Sequence, residues 1–211
     1  MASSTIIPTR MELTRLKKKL VTARKGHKLL KDKRDELMRQ FLIMVRENKE
    51  LREQVEKGIA QANRGFALAR SSMSDEAVRV AFMAPKQKVS LDVAYNNIMS
   101  VNVPVYTFET RTSDAADMFS YGFAFTSADL DDAVSQLSEV FPLMLKLAQT
   151  EKSCQLMAAE IEKTRRRVNA LEHVMIPNYA ETIKYISMKL DEQARSTTSQ
   201  LMKVKEIVSK H

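Results

Sequence analysis

Stepping alternately by three and four residues from Leu13 meets Leu16, Leu20, Ala23, His27, Leu30, Arg34, Leu37, Phe41, Met44 and Asn48. The same steps continue through Leu51, Val55, Gly58, Ala62, Gly65 and Ala69. Twelve of these 17 positions are apolar, and no proline occurs between Pro8 and Pro85. The alternation is the period of a left-handed coiled coil; an isolated amphipathic helix drifts off such a register. It predicts a helix over about 10–75, preceded by a short tail at 1–9. At 1.5 Å per residue such a helix is roughly 100 Å long, too long for one compact domain.

A second seam of the same period runs through Leu143, Leu147, Thr150, Cys154, Met157, Ile161, Thr164, Val168, Leu171 and Met175. Pro177 interrupts it, and it resumes, shifted, at Tyr179, Ile183, Ile186, Leu190, Ala194, Thr197, Leu201, Val204 and Val208. The shift is a stutter, and proline inside a helix kinks or unwinds it. This predicts a second long helix over 127–211, started by Thr126-Ser127-Ala128-Asp129 as N-cap and kinked near Pro177. Residues 76–126 read differently. Val89, Leu91, Val93 and Tyr95 alternate with polar or small residues, and Ile98 to Val105, with Val101 and Val103, is rich in β-branched side chains. With Asn96-Asn97 as a two-residue turn, this predicts a short β-hairpin at about 88–105. Phe119, Tyr121, Phe123 and Phe125 alternate around Gly122 in a stretch, 106–126, expected to be irregular. The expected fold is mainly α: a long antiparallel two-helix left-handed coiled coil whose termini share one end, with a β-hairpin in the central insert.

Composition supports helices. The 211 residues include only four glycines, no tryptophan and 6% aromatics. A β-sandwich or doubly wound α/β fold needs more turn glycines than that. The single cysteine, Cys154, makes no internal disulfide, which fits a reducing compartment. The longest apolar runs, such as Phe41–Val45, fall far short of the roughly 20 residues of a membrane span. Met1–Arg10 lacks the basic and apolar regions of a signal peptide. Direct membrane insertion is not expected.

The charge is lopsided. Residues 10–34 hold eleven Lys or Arg against Glu12 and Asp32, so this segment carries +9 of a net +8, and the remainder sums to −1. Such a block is either a solvated helix face or a surface for an anionic partner: nucleic acid, lipid headgroups or acidic protein.

No catalytic, metal-binding or cofactor-binding constellation is recognisable. Gly26, Gly58, Gly65 and Gly122 form no phosphate-binding loop. His27, His173, His211 and Cys154 lack metal-ligand spacing. Cys154 falls on an apolar seam and reads as packing, and Asp131-Asp132 reads as a solvated helix start. The polar seam residues His27, Arg34 and Asn48 either set the register or locally widen the coil. Gly58, Ala62, Gly65 and Ala69 form a small-residue patch. A helix glycine costs about 1 kcal/mol against alanine, so close helix packing or a docked partner must compensate.

Two stretches make the chain similar to a known family. One is Pro8-Thr-Arg-Met-Glu-Leu-Thr-Arg-Leu-Lys-Lys-Lys-Leu20, continuing into Gly26-His-Lys-Leu-Leu-Lys-Asp-Lys-Arg-Asp-Glu-Leu37. The other is Arg165-Arg-Arg-Val-Asn-Ala-Leu-Glu172, continuing through Ile176-Pro177 to Thr182-Ile-Lys-Tyr-Ile186 and Leu190-Asp-Glu192. With these the chain resembles the D subunits of V-type (vacuolar or archaeal/bacterial A/V-type) rotary ATPases. The resemblance implies a non-catalytic central rotor shaft, peripheral to the membrane on the cytoplasmic side. Its termini would insert into a hexamer of catalytic A and non-catalytic B subunits. The F subunit would bind along it, and its lower end would seat on the subunit called C or d at the membrane ring. ATP hydrolysis in the hexamer would turn the shaft and drive H⁺ or Na⁺ transport, or the reverse would make ATP. No nucleotide would bind this chain.

On that reading Arg10, Arg15, Lys17, Lys18, Lys19, Arg24 and Lys25 are expected to face the hexamer. Leu13, Leu16, Leu20, Leu30 and Leu37 would form one side of the seam, and Ile161, Val168, Leu171, Ile183, Ile186 and Leu190 the other. The patch Gly58–Ala69 would meet the F subunit or the partner helix, and the hairpin would modulate turnover or seat a partner. A sequence-blind nucleic-acid-binding coiled coil is the rival reading of the basic block, although the block has no aromatic interleaving. A homodimeric tether is a third.

Overall fold

The computed structural model describes residues 7–112, 114–122 and 126–209. Phe123 and Phe125 of the alternating aromatic stretch lie outside the described residues, as do residues 1–6 of the expected tail. The protein is mainly helical, with a long N-terminal helix, a long C-terminal helical stretch and a two-stranded antiparallel hairpin between them. Helix α1 spans Arg10–Ser72 and a short α2 spans Asp75–Ala81. Strands β1, Val89–Ile98, and β2, Val101–Thr110, follow, then a 3₁₀ turn at Ala115–Met118. Helix α3 spans Ala128–Ala170, a π-helical turn covers Leu171–Met175, and α4 runs over Ile176–Val208. The chain divides into two compact units: Leu37–Ile161, and Met1–Glu36 together with Glu162–His211.

In the central unit α1 and α3 run antiparallel, because partner positions fall along α3 as they rise along α1. Arg52 pairs with Glu151 at 3.0 Å, Gly58 lies against Val140, Gly65 against Ala133, and the Ser127 hydroxyl reaches the Met73 sulfur at 3.5 Å. The glycines explain how close the helices come. A Cβ on Gly58 would stand 2.3 Å from Val140 Cγ2, and one on Gly65 would stand 3.2 Å from the Ala133 Cβ. Leu51, Val55, Ala62 and Ala69 are buried along this approach. At one end of the unit, Ala69, Ala81 and Leu130 are packed with Phe66, Met73, Tyr121 and Val134. Phe82 lies between Phe66 and Tyr121, tilted against the first and edge-on to the second, with ring centroids 6.2 and 6.3 Å away.

The hairpin departs from expectation in its turn and its length. Asn96 and Asn97 are not the turn: they lie in β1, opposite Val103 and Asn102. The chain reverses at Met99-Ser100, both with positive φ (49° and 73°), as a two-residue type I′ turn requires. The strands extend through Val89 and Thr110, so 106–110, expected to be irregular, is strand. Left-handed backbone costs a non-glycine residue about 1–2 kcal/mol. Core packing outweighs it. Val101 and Val103 are buried with Leu37, Met157 and Ile161, and Ile98 and Met99 pack against that cluster. Burying each valine contributes about 1.5–3 kcal/mol. Asn97 steers the turn from outside: its Oδ1 accepts from the Ser100 N–H at 3.1 Å, and its Nδ2 donates to Asn102 Oδ1 at 2.8 Å.

Helix α2 is not expected from the apolar pattern, yet its start is written locally. The Ser74 side chain accepts from the Ala77 N–H at 3.2 Å, with Asp75 and Glu76 in the first turn.

In the terminal unit Leu16 of α1, Thr164 and Val168 of α3 and Ile186 of α4 are all buried. His27 Nε2 lies 3.3 Å from Glu172 Oε2. The helix accommodates Pro177 by a π-turn just upstream, in which the Ile176 N–H reaches back to the Leu171 carbonyl. Proline has no N–H to give and crowds the carbonyl four residues before it, and widening one turn relieves both.

Candidate functional site

Cys154 is half-buried, and burial first, then the Glu151 and Glu47 carboxylates, push its thiol pKa up. That keeps it protonated, the opposite of what a nucleophile needs. Asp131 accepts from the Tyr121 hydroxyl at 2.8 Å. Burial, followed by that bond and the Asp131 charge, pushes the phenol above its ordinary range. Among the described residues no group of three or more His, Cys, Asp or Glu could hold a metal ion.

The basic block lies on the outer face of α1, because its residues occupy the positions between seam residues. Arg10, Arg15, Lys17, Lys18, Lys19, Arg24 and Lys25 are all exposed. Arg15 has a neighbouring acid, Glu12, at 3.6 Å. On the inner face Leu16 is buried, while Leu13, Leu20, Ala23, His27 and Leu30 are half-buried. Leu37 is fully buried in the central unit, as is Met157; Ile161 is also buried there. On the opposite helices of the terminal unit, Val168 and Ile186 are buried and Leu171, Ile183 and Leu190 half-buried.

The C-terminal end of α4 differs from expectation. The stepping that buries Ile186 continues to Ala194, Thr197, Leu201, Val204 and Val208, but every residue over 191–208 is exposed. Chain length gives the reason. His27 faces Glu172; counting back from His27 to Arg10, where α1 starts, and forward equally from Glu172 reaches Lys189. Beyond that point α4 has no counterpart in α1. Leu201, Met202, Val204, Ile207 and Val208 are each more than half exposed on this free helical end. A seam count on one helix misses this; comparing the two helix lengths finds it.

The small-residue patch is occupied from within the chain: Gly58 and Gly65 face α3, and Ala62 and Ala69 are buried. On the hairpin, β2 lies toward α3. The Tyr106 N–H donates to Gln149 Oε1 at 2.9 Å, Phe108 meets Phe141 edge-on at 6.0 Å, and Pro104, which lacks an N–H, sits on this side. β1 is exposed along 89–97, so the apolar Val89, Leu91, Val93 and Tyr95 face solvent.

The sequence matches the family described as the ATP synthase D subunit over residues 12–206. The chain belongs to the ATP synthase D subunit family. Similar proteins include the V-type ATP synthase D subunit of Acetivibrio thermocellus, 62% identical over 208 residues, covering 99% of this chain and 94% of the relative. The corresponding D subunit of Clostridioides difficile is 59% identical over 210 residues, with 100% and 94% covered. That of Thermoanaerobacter pseudethanolicus is 57% identical over 203 residues, with 96% of each covered. Membership of this family accounts for a helical chain built around surfaces, as one part of a larger complex. No helix among the described residues is long and apolar enough to cross a membrane.

Proposed function

We propose that the chain is the central rotor shaft of a V-type rotary ATPase, carrying torque between a hexamer of A and B subunits and the ion-translocating membrane ring. The observation that carries this reading, beside family membership, is the terminal unit. It combines a free apolar helical end on α4 with a dense exposed basic face on α1. The apolar end suits insertion into a sleeve that covers it. The basic face suits sliding contact, since exposed charges form weak, screened interactions that break easily. Arg10, Arg15, Lys17, Lys18, Lys19, Arg24 and Lys25 then face the inner surface of the hexamer. The chain itself does no catalysis and holds no nucleotide. It is peripheral to the membrane, with the ring subunit called C or d at the opposite end and the F subunit alongside. The use of Gly58 and Gly65 by α3 supports helix packing, rather than contact with the F subunit, as the purpose of that patch. The outward apolar side of β1 makes the hairpin a contact that tunes turnover or seats a partner.

Co-expression of the tagged chain with V-type A, B and F subunits tests the reading. A stoichiometric complex is expected whose ATPase turnover depends on this chain, which is inactive alone. Failure to join the hexamer, together with salt-sensitive nucleic-acid binding, would transfer the basic face to the rival role.

A further inference from the structure

In the terminal unit an open groove of about 540 Å³ lies between α1 and the helices across from it. Its floor is apolar: Leu171, Met175 and Tyr179, with Gly26 opposite. Its rim carries Arg15, Lys18 and Lys19, and no carboxylate lines it. Met175 closes the π-turn at Leu171–Met175 and is 40% exposed. Across from it, nothing lies within 4 Å of where a Gly26 side chain would begin. π-turns inside long helices recur at functional positions.

Apolar floor and cationic rim together select an occupant. A nucleic acid would use the lysines and leave the floor wet. A purely apolar segment would fill the floor and bring no counter-charge to Lys18 and Lys19; Arg15 already has Glu12 at 3.6 Å. We propose that this groove receives an acidic segment of the surrounding hexamer, which lays one large apolar side chain on Leu171, Met175 and Tyr179 and sets carboxylates against Lys18 and Lys19. This rests on the shaft reading and specifies the chemistry of one contact within it. The apolar side chain gives the contact a definite angular position, and the exposed ion pairs let it release as the shaft turns.

The test uses the full chain assembled with V-type A, B and F subunits. Gly26→Leu puts a better helix former in the groove and meets no neighbour within 4 Å at its Cβ. The double change Lys18→Glu with Lys19→Glu inverts the rim. Both should raise the dissociation constant for the hexamer roughly tenfold. The loss from the charge change should shrink at high salt, and the loss from Gly26→Leu should persist. Lys146→Glu, on α3 in the central unit, serves as the charge control and should bind as wild type. A photo-crosslinking residue at position 26 should capture an A or B peptide with Asp or Glu beside a large apolar residue. Wild-type affinity in both variants, or capture of a peptide without acids, overturns the groove assignment alone. Wild-type chain that fails to bind the hexamer overturns the shaft reading and the groove with it.

Discussion

Replacing Gly58 by alanine would stabilise most exposed helices, and here it should not. Alanine is favoured over glycine in a helix interior by about 1 kcal/mol. The added Cβ, however, would stand 2.3 Å from Val140 Cγ2, far inside van der Waals contact. Val140 is itself buried, so its side chain cannot swing freely into water. Forcing an extra methyl into a packed contact costs about 1–3 kcal/mol. The net effect should therefore be between neutral and about 2 kcal/mol destabilising. In a Val140→Ala background the obstructing methyl is gone. The same Gly58→Ala change should then stabilise by about 1 kcal/mol. The sign reversal is the signature, and a double-mutant cycle from urea unfolding followed by circular dichroism should give a coupling of about 1–3 kcal/mol. Gly65→Ala is an internal contrast: its Cβ would lie 3.2 Å from the Ala133 Cβ, so a small helix adjustment suffices and the effect should be near zero. If Gly58→Ala stabilised the otherwise wild-type chain by the full propensity gain, the helices would not approach through the glycines as described.

Four further outcomes are expected. Leu37→Ala should cost about 2–5 kcal/mol, because this fully buried side chain joins the hairpin to Met157 and Ile161, and thermal unfolding would show it. Removing residues 191–211 should change stability by less than about 1 kcal/mol, since 191–208 is exposed, yet it should abolish productive coupling to the hexamer; a large drop in melting temperature would show that α4 packs along this length. Tyr121 should make the protein alkali-sensitive. Its pKa is raised by folding, so its stabilising contribution is intact below the unfolded value of about 10 and is lost as pH rises beyond it. Tyr121→Phe should remove that part of the decline, as read from melting temperature against pH. Cys154 should react with iodoacetamide half-maximally above the ordinary thiol value of about 8.5; a midpoint below it would contradict the burial and the Glu151 and Glu47 charges invoked here.

The helical architecture was legible because its cause is periodic. Along α1 every position on the alternating steps from Leu13 to Ala69 is buried or half-buried, His27, Arg34 and Asn48 included. Polar residues there are held by burial of their neighbours, not by their own preference. What escaped the sequence depends on distant parts of the chain. Asn96-Asn97 is the better local turn, but reversal at Met99-Ser100 brings Val101 and Val103 onto Leu37, Met157 and Ile161. The exposed end of α4 follows from where α1 starts, information that no window on α4 contains. Pro177 announces a disturbance, and its form, a π-turn rather than a break, is set by continued packing on both sides, at Val168 and Ile186. The groove beside that turn also needs Gly26, which is 145 positions upstream of Leu171 and ordinary by itself. Helix α2 is readable from Ser74 and its first-turn acids, but its seven residues are too few to establish an apolar period.

The most direct test of the shaft reading watches the chain turn. With the A/B hexamer fixed to a surface, a bead is attached to a single cysteine placed in the hairpin turn (Ser100→Cys with Cys154→Ser). Adding ATP should make the bead rotate persistently in one direction, and removing ATP should stop it. Sustained ATP hydrolysis with the bead stationary, in complexes shown to contain this chain, would contradict the account.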